Sequence, residues 1–413
     1  MEFNTKLGDI LELNPATPLK KGTEAKKVAM ADVKENQKFI ESFEVEKFKG
    51  GAKFKNGDTL VARITPCLEN GKTAFVDILE ENEIAFGSTE FFVIRSIKNL
   101  TDPQYLYYLM RTPNIRNILI KSMTGTSGRQ RAQKEALLNT EIVLPPLSVQ
   151  QAIGRTLKNL DEKIKLNSKI IANLEELSQI LFKRWFMDFE FPDKNGNPYK
   201  SSGGEFIKTE IGDIPKHWEI KKLEEIATHK KKSFNPQKEE DQIVAHFSLP
   251  AFDTNQMPVT EYSKDIKSNK WLINQDTVLF SKMNPRTMRV WLPNARKDLT
   301  NVASTEFVVL ESKDDSVRSL IYNLLNTNIF KNFLLSNATG STNSRQRVKP
   351  HIAVSFQLAL NEKIVKLYGQ RVNPLMNKII SLRDENAHLN EMRDILLPKL
   401  MSGELELPEA LEV

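Results

Sequence analysis

One cysteine in 413 residues, Cys67, leaves the chain unable to form an internal disulfide or a cysteine-based metal site, which agrees with a reducing compartment. Beside Pro66 it reads as a small apolar filler at a strand end. The five histidines, His217, His229, His246, His351 and His388, are scattered without the spacing of zinc ligands. There is no run of roughly 18 apolar residues to span a bilayer. The start, Met1-Glu2-Phe3-Asn4-Thr5-Lys6, lacks the basic head and apolar core of a signal peptide, so a cytoplasmic protein with no membrane partner is expected. Phosphate-cradling glycine patterns are missing as well, both Gly-x-x-x-x-Gly-Lys-Ser/Thr and Gly-x-Gly-x-x-Gly. So is the Asn/Asp-Pro-Pro-Tyr tetrad of an adenine-modifying enzyme. No catalytic residue is assigned and no cofactor is expected on this chain.

What is present is an internal repeat. Ser88-Thr89-Glu90-Phe91-Phe92-Val93 returns 216 positions later as Ser304-Thr305-Glu306-Phe307-Val308-Val309, and Arg129-Gln130-Arg131 returns at the same offset as Arg345-Gln346-Arg347. Lys6-Leu7-Gly8-Asp9-Ile10 likewise matches Lys222-Leu223-Glu224-Glu225-Ile226. Solenoid units are about 20–50 residues long, so this is a duplicated domain. Length alone suggests two to three domains of about 150 residues, and the repeat selects two. A hydrophobic content of 40% and a charged content of 27% are those of a globular protein. The net charge of +6 suits a polyanion without proving one.

Within each copy, short β-rich runs alternate with turn signals. Gly57 to Ile64 and Glu90 to Ile94 read as strands. Tyr105-Leu106-Tyr107-Tyr108-Leu109-Met110, ahead of Pro113, reads as a helix. This predicts a mixed α/β domain over residues 1–146 and a second over 211–360. Between them, Ile153, Leu157, Leu160, Ile164, Asn167, Ile171, Leu174, Ser178, Leu181 and Trp185 alternate at spacings of four and three, a coiled-coil seam that predicts a long helix over 147–190. Val372, Leu375, Ile379, Leu382, Asn386, Leu389, Arg393, Leu396 and Leu400 repeat it within 361–405. Pairing the two helices with each other buries both stripes. Sequence leaves their direction open, and a two-fold relation favours antiparallel. Residues 191–210, rich in turn formers, read as a linker. The second copy departs from the first where Gln357-Leu358-Ala359-Leu360-Asn361-Glu362 replaces the Pro145-Pro146-Leu147 turn.

Matching basic loops are the candidate binding sites. Lys121 to Lys134 and Ala338 to Lys349 carry lysine and arginine, Ser, Thr and Gly, and no acid. Arginine and glutamine make paired hydrogen bonds to base edges, while Ser, Thr and backbone amides hold phosphates. The candidates here are Thr126, Ser127, Arg129, Gln130 and Arg131, and then Thr342, Ser344, Arg345, Gln346 and Arg347. A second pair of loops, stiffened by proline, adds Arg63, Thr65, Asn70 and Lys72 in one copy, and Lys282, Asn284, Arg286 and Arg289 in the other. The basic run Lys230-Lys231-Lys232, with Lys238, reads as solvation or nonspecific phosphate contact. Pro192-Asp193 with Glu219-Ile220-Lys221 has the loose form of a magnesium-dependent nuclease motif. Coincidence on solvated loops is the plainer account.

Together these residues carry a resemblance. Pro145-Pro146-Leu147-Ser148-Val149-Gln150-Gln151 leading into Leu160-Asp161-Glu162-Lys163-Ile164, then Phe189 to Gly204 and Ile211-Gly212-Asp213-Ile214-Pro215-Lys216-His217-Trp218, look like the specificity subunit of type I restriction-modification systems. The resemblance spans the whole chain. It implies two target-recognition domains, each reading half of a split site on double-stranded DNA, and helices that space them and bind two methyltransferase subunits. Restriction/translocase subunits would complete the complex. By this resemblance the chain is a non-catalytic recognition subunit, and S-adenosylmethionine, ATP and magnesium serve its partners. A helix of about 35 residues is about 50 Å long, a ruler between half-sites, and differing loops imply an asymmetric site. Leu166, Ile170, Leu177 and Ile180, left over on the helix face, are candidates for the methyltransferase interface or for a wider seam. Two other readings stay open: a coiled-coil assembly protein binding nucleic acid without sequence preference, and a stand-alone nuclease.

Overall fold

In a computed structural model of the chain, residues 3–239, 241–340 and 346–407 are described. They form two compact units, one within residues 3–165 and 388–407 and one within residues 166–387. The units do not separate domain from helix, because each takes a segment of both long helices, Leu147–Phe182 and Glu362–Met401.

Each unit has the same α/β plan. In the first, strands 11–13, 91–96, 59–62 and 73–75 lie side by side in that order and pair antiparallel. A second sheet runs 44–47, 24–28, 85–87 and 52–54, and its central pair is parallel. In the second unit the strands 227–230, 307–312, 277–281 and 290–291 repeat the first sheet. The other sheet repeats with one extra strand at its edge, again around a parallel pair, 243–247 with 300–304. Each unit also brings its entering strand back against its leaving one, 3–6 with 141–144 and 219–222 with 357–360. The Gln357-to-Glu362 stretch thus supplies the second copy's closing strand, and the Asn361 side chain accepts from the Lys363 and Ile364 amides where the helix begins.

Period-two side-chain alternation explains why the central strands are apolar throughout. Leu60, Phe91 and Val93 enter one core, while Val61, Phe92 and Ile94 enter another against the helices. Their counterparts divide the same way: Leu279, Phe307 and Val309 on one face, Val278, Val308 and Leu310 on the other. The expected helix over Tyr105–Met110 runs Pro103–Arg111 and buries all six of those residues. Asp102 caps it by accepting from the Tyr105 amide, and Asp314 caps the equivalent helix Asp315–Leu325 through Val317.

The long helices meet within both units, and in the second they run antiparallel. In the first, Arg393 Nη1 donates to Asp161 at 2.7 Å. In the second, Asn167 meets Asn386, Glu175 meets Arg383 and Ser178 meets Tyr368, so numbers rise on one helix as they fall on the other. No seam position is exposed. Two glycines, Gly154 and Gly369, let the helices reach the capped helix of each domain. A Cβ on Gly369 would lie 2.1 Å from Ser316 Oγ and 2.8 Å from its Cα, and one on Gly154 would lie 2.8 Å from the capping Asp102 carboxylate. Alanine stabilises a helix by about 1 kcal/mol over glycine, but overpacking here costs about 1–3 kcal/mol. Gly369→Ala is therefore expected to be a net loss of up to about 2 kcal/mol in chemical denaturation. A stabilised variant would contradict this packing.

Residues 191–210 are not a free tether. Phe191 stacks on Tyr199 at 4.6 Å, and Trp218 packs against Phe186, Phe189 and Phe191. Turn formers dominate the composition, but the few aromatics are spaced so that the turns fold them onto one another. A hairpin of 206–209 with 212–215 follows.

Candidate nucleic-acid interface

The loops paired by composition are brought together within each unit. In the first, strand 59–62 runs into the Arg63–Lys72 loop, where the Thr65–Pro66 bond is cis. Residues 124–131 fold into a hairpin closed by Thr124 and Arg131, which exchange backbone hydrogen bonds of 3.1 and 2.9 Å. The hairpin is pinned to the loop by Thr65 N donating to Gln130 O and Ala132 N donating to Arg63 O, and Gln130 N donates to Thr65 Oγ1. Gly125 and Gly128 take positive φ in this hairpin, conformations that side chains resist. The second unit repeats the framework. Thr339 and Arg347 exchange bonds of 2.9 Å, Asn284 N donates to Gln346 O, and Val348 N donates to Lys282 O. Thr342, Ser344 and Arg345 lie outside the described residues.

The structure also sorts the candidates. Thr126, Ser127 and Arg129 stand exposed at the first hairpin, and Arg129 has no ion pair among the described residues. Arg286 is the exposed arginine of the second strand-end loop. Most of the other candidates have protein partners, while Gln346 Oε1 is buried without one among the described residues. Arg131 donates through Nε and Nη2 to both oxygens of Glu90 at 2.6–3.0 Å, and Arg347 does the same to Glu306 at 3.2–3.3 Å. In both, a carboxylate of the chain itself occupies the forked edge that would otherwise read a guanine. Arg289 makes the same two-pronged pair with Asp253. Lys72 donates to Met30 O, Lys282 to Thr305 O, and Asn70 to Glu35. Arg63 lies over the Phe92 ring at 4.9 Å. In the basic run, Lys230 pairs with Glu311 at 2.6 Å.

Sequence reasoning missed Glu90 and Glu306 as part of the site. Their signal was present, because the Ser-Thr-Glu and Arg-Gln-Arg motifs recur at one shared offset, as two halves of one contact must. Hydrogen bonds from Arg131, opposed by partial burial, hold the Glu90 carboxyl below its usual range, and the same pairing raises Arg131.

The nuclease-like residues assemble no metal site. Asp193 accepts from the backbone amides of Asn195 and Asn197 at 2.8 Å and so turns its own loop, while Lys221 lies 3.2 Å from Glu219. Among the described residues no group of three His, Cys, Asp or Glu side chains is placed to hold a metal. On the helix face, Leu166, Leu177 and Ile180 are 53%, 44% and 54% exposed, and Ile170 is half-buried. No helix of the described residues is long and apolar enough to cross a membrane.

Comparison with known proteins places these features in context. A family model described as the type I restriction modification DNA specificity domain matches residues 2–176. The chain is 28% identical over 330 residues to the MjaIX type I restriction enzyme specificity subunit of Methanocaldococcus jannaschii, covering 74% of this chain and 70% of that one. It is 23% identical to the HindI specificity subunit of Haemophilus influenzae, covering 90% and 92%. Among solved structures, the type I restriction-modification S subunit of M. genitalium shares the fold, with a TM-score of 0.55 at 15% identity over 97% of this chain and 96% of that chain.

Proposed function

We propose that the chain is a specificity subunit of a type I restriction-modification system and that each of its units reads one half of a bipartite, asymmetric DNA site. It is a recognition subunit and performs no chemistry of its own. The observation that carries the reading is the duplicated framework: the same backbone bonds pin the Arg-Gln-Arg segment to a strand-end loop in both units, while the loop sequences differ. Equal frames with unequal side chains suit two different sequences. A nonspecific binder has no use for two distinct reading surfaces. The helical pair would set the spacer between half-sites. Two methyltransferase subunits would dock on apolar helix positions such as Leu166, Ile170, Leu177 and Ile180, and restriction/translocase subunits would join them. S-adenosylmethionine, ATP and magnesium would be used by those partners, which modify DNA in the cytoplasm.

The test is single-molecule sequencing of adenine methylation in cells expressing this chain with its neighbouring methyltransferase, against cells lacking the chain. A split motif that appears only with the chain is expected. Unchanged methylation would remove the main support, and nonspecific binding and magnesium-dependent cutting would be tested next. Within the motif, Arg129→Ala is expected to cost about 1–3 kcal/mol of base discrimination and to relax one half-site. Arg286→Ala should leave that half intact and relax the other. Relaxation of both halves by either variant would contradict the division of labour.

A further inference from the structure

We propose that Glu90–Arg131 and Glu306–Arg347 are positioning pairs, which hold each hairpin over its strand-end loop and keep that arginine off the DNA backbone. The inference rests on the recognition reading above. Three observations carry it. First, Glu90 and Glu306 each follow a recurring Ser-Thr at the start of a central strand, Phe91–Ser96 and Phe307–Ser312, so each carboxylate is rooted in the sheet. Its backbone is tied in as well, since Arg63 N donates to Glu90 O and Lys282 N to Glu306 O. Second, the arginine closing each hairpin makes a two-pronged bond to that carboxylate, a geometry that fixes direction as well as distance. Third, Gln130 and Gln346 sit just before the clamped arginines and receive the strand-end loop through Thr65 N and Asn284 N. One clamp therefore aligns both loops of a unit.

A loop that carries Arg129 and Arg131 without a neighbouring acid would grip phosphate at any sequence. Glu90 pairs with Arg131, and with Arg63 of the strand-end loop at 3.9 Å, and leaves Arg129 as the hairpin arginine with no ion pair among the described residues. The pairs are unequal. Arg131 and Glu90 are 43% and 22% exposed and at most 3.0 Å apart, whereas Arg347 and Glu306 are 54% and 28% exposed and 3.2–3.3 Å apart. The first clamp should matter more.

The experiment uses the chain copurified with its methyltransferase. Its probes are a duplex carrying the site methylated by the wild type and a scrambled duplex of equal length. Glu90→Gln keeps the shape and frees Arg131. The expected result is about a tenfold loss of discrimination between the duplexes and a salt dependence on the scrambled duplex steeper by about 0.9 in log–log slope, one added phosphate contact. Methylation sequencing should show one half-site relaxed and the other unchanged, and Glu306→Gln should relax the other half more weakly. Glu90→Gln/Arg131→Gln should return the slope to wild type while the half-site stays relaxed, which a merely destabilised fold would not do. Should Glu90→Gln fail to copurify, Arg131→Gln carries the test, with a relaxed half-site and no steeper slope expected. Wild-type stringency and slope in Glu90→Gln, or equal decay of both half-sites, would overturn the clamp alone. A wild-type chain that directs no motif would overturn the recognition reading and the positioning proposal with it.

Discussion

Asp161→Ala is expected to lower the unfolding free energy by about 3–5 kcal/mol, the range for removing one partner of a buried ion pair. Asp161 and Arg393 are each 4% exposed, and their side chains meet at 2.7 Å. Burial opposes the Arg393 charge, yet the carboxylates of Asp161 and Asp394 overcome it and hold the guanidinium above its ordinary value. Without Asp161 that charge has only the exposed Asp394, and the Tyr108 hydroxyl loses the acceptor it now reaches at 2.5 Å. Because the pair joins the central helix to the C-terminal one, the loss should fall on the first unit. Asp161→Leu/Arg393→Met removes both charges and is expected to recover most of it, since apolar replacements of whole buried pairs are often neutral. Chemical denaturation of the two variants decides the matter. A loss below about 1 kcal/mol in the single variant would mean the pair is well solvated.

The second large effect depends on pH and belongs to Lys38 in the same network. The residue is 2% exposed, and its ammonium lies over Phe39, Phe75, Tyr107 and Tyr108 and donates to Gln104 and to the Tyr108 hydroxyl. Burial pushes it down to about 7 from 10.5, against the pull of Asp161 and Glu162 and with the push of Lys158 and Arg111. Below about 7 the folded and unfolded chains both hold this proton, and the burial penalty is complete. Between about 7 and 10.5 the unfolded chain still holds a proton that the native state has released. Unfolding free energy therefore rises with pH across that window, by about 1.4 kcal/mol per unit. Lys38→Met abolishes this contribution. The difference in stability, wild type minus Lys38→Met, should climb by about 2.3 kcal/mol from pH 7 to 9, since the native lysine is still half protonated at the start. Stopping at pH 9 avoids the buried tyrosines, whose raised values act in the opposite direction at higher pH. A flat difference would show that Lys38 stays protonated.

The duplication, the mixed α/β class and both helical seams are determined by the sequence itself, because repeats, period-two strands and three-four spacings are local patterns that any chain of this composition must bury in one way. The same holds for the basic loops, whose matching positions followed from the repeat. What only the tertiary structure decided is pairing across long separations. Asp161 finds Arg393 and Glu90 finds Arg131, and no local rule tells a basic residue whether its partner is a carboxylate of its own chain or a phosphate. In the folded chain Arg131, Arg289 and Arg347 pair with carboxylates, while Arg129 and Arg286 stand exposed. Helix direction was decided the same way, since an apolar stripe matches a partner running either way and only the residues that meet across it set the sense. The stretch after Phe191 shows the same limit from the apolar side: its turn formers were legible, but the contact between Phe191, Tyr199 and Trp218 exists only once the turns have closed.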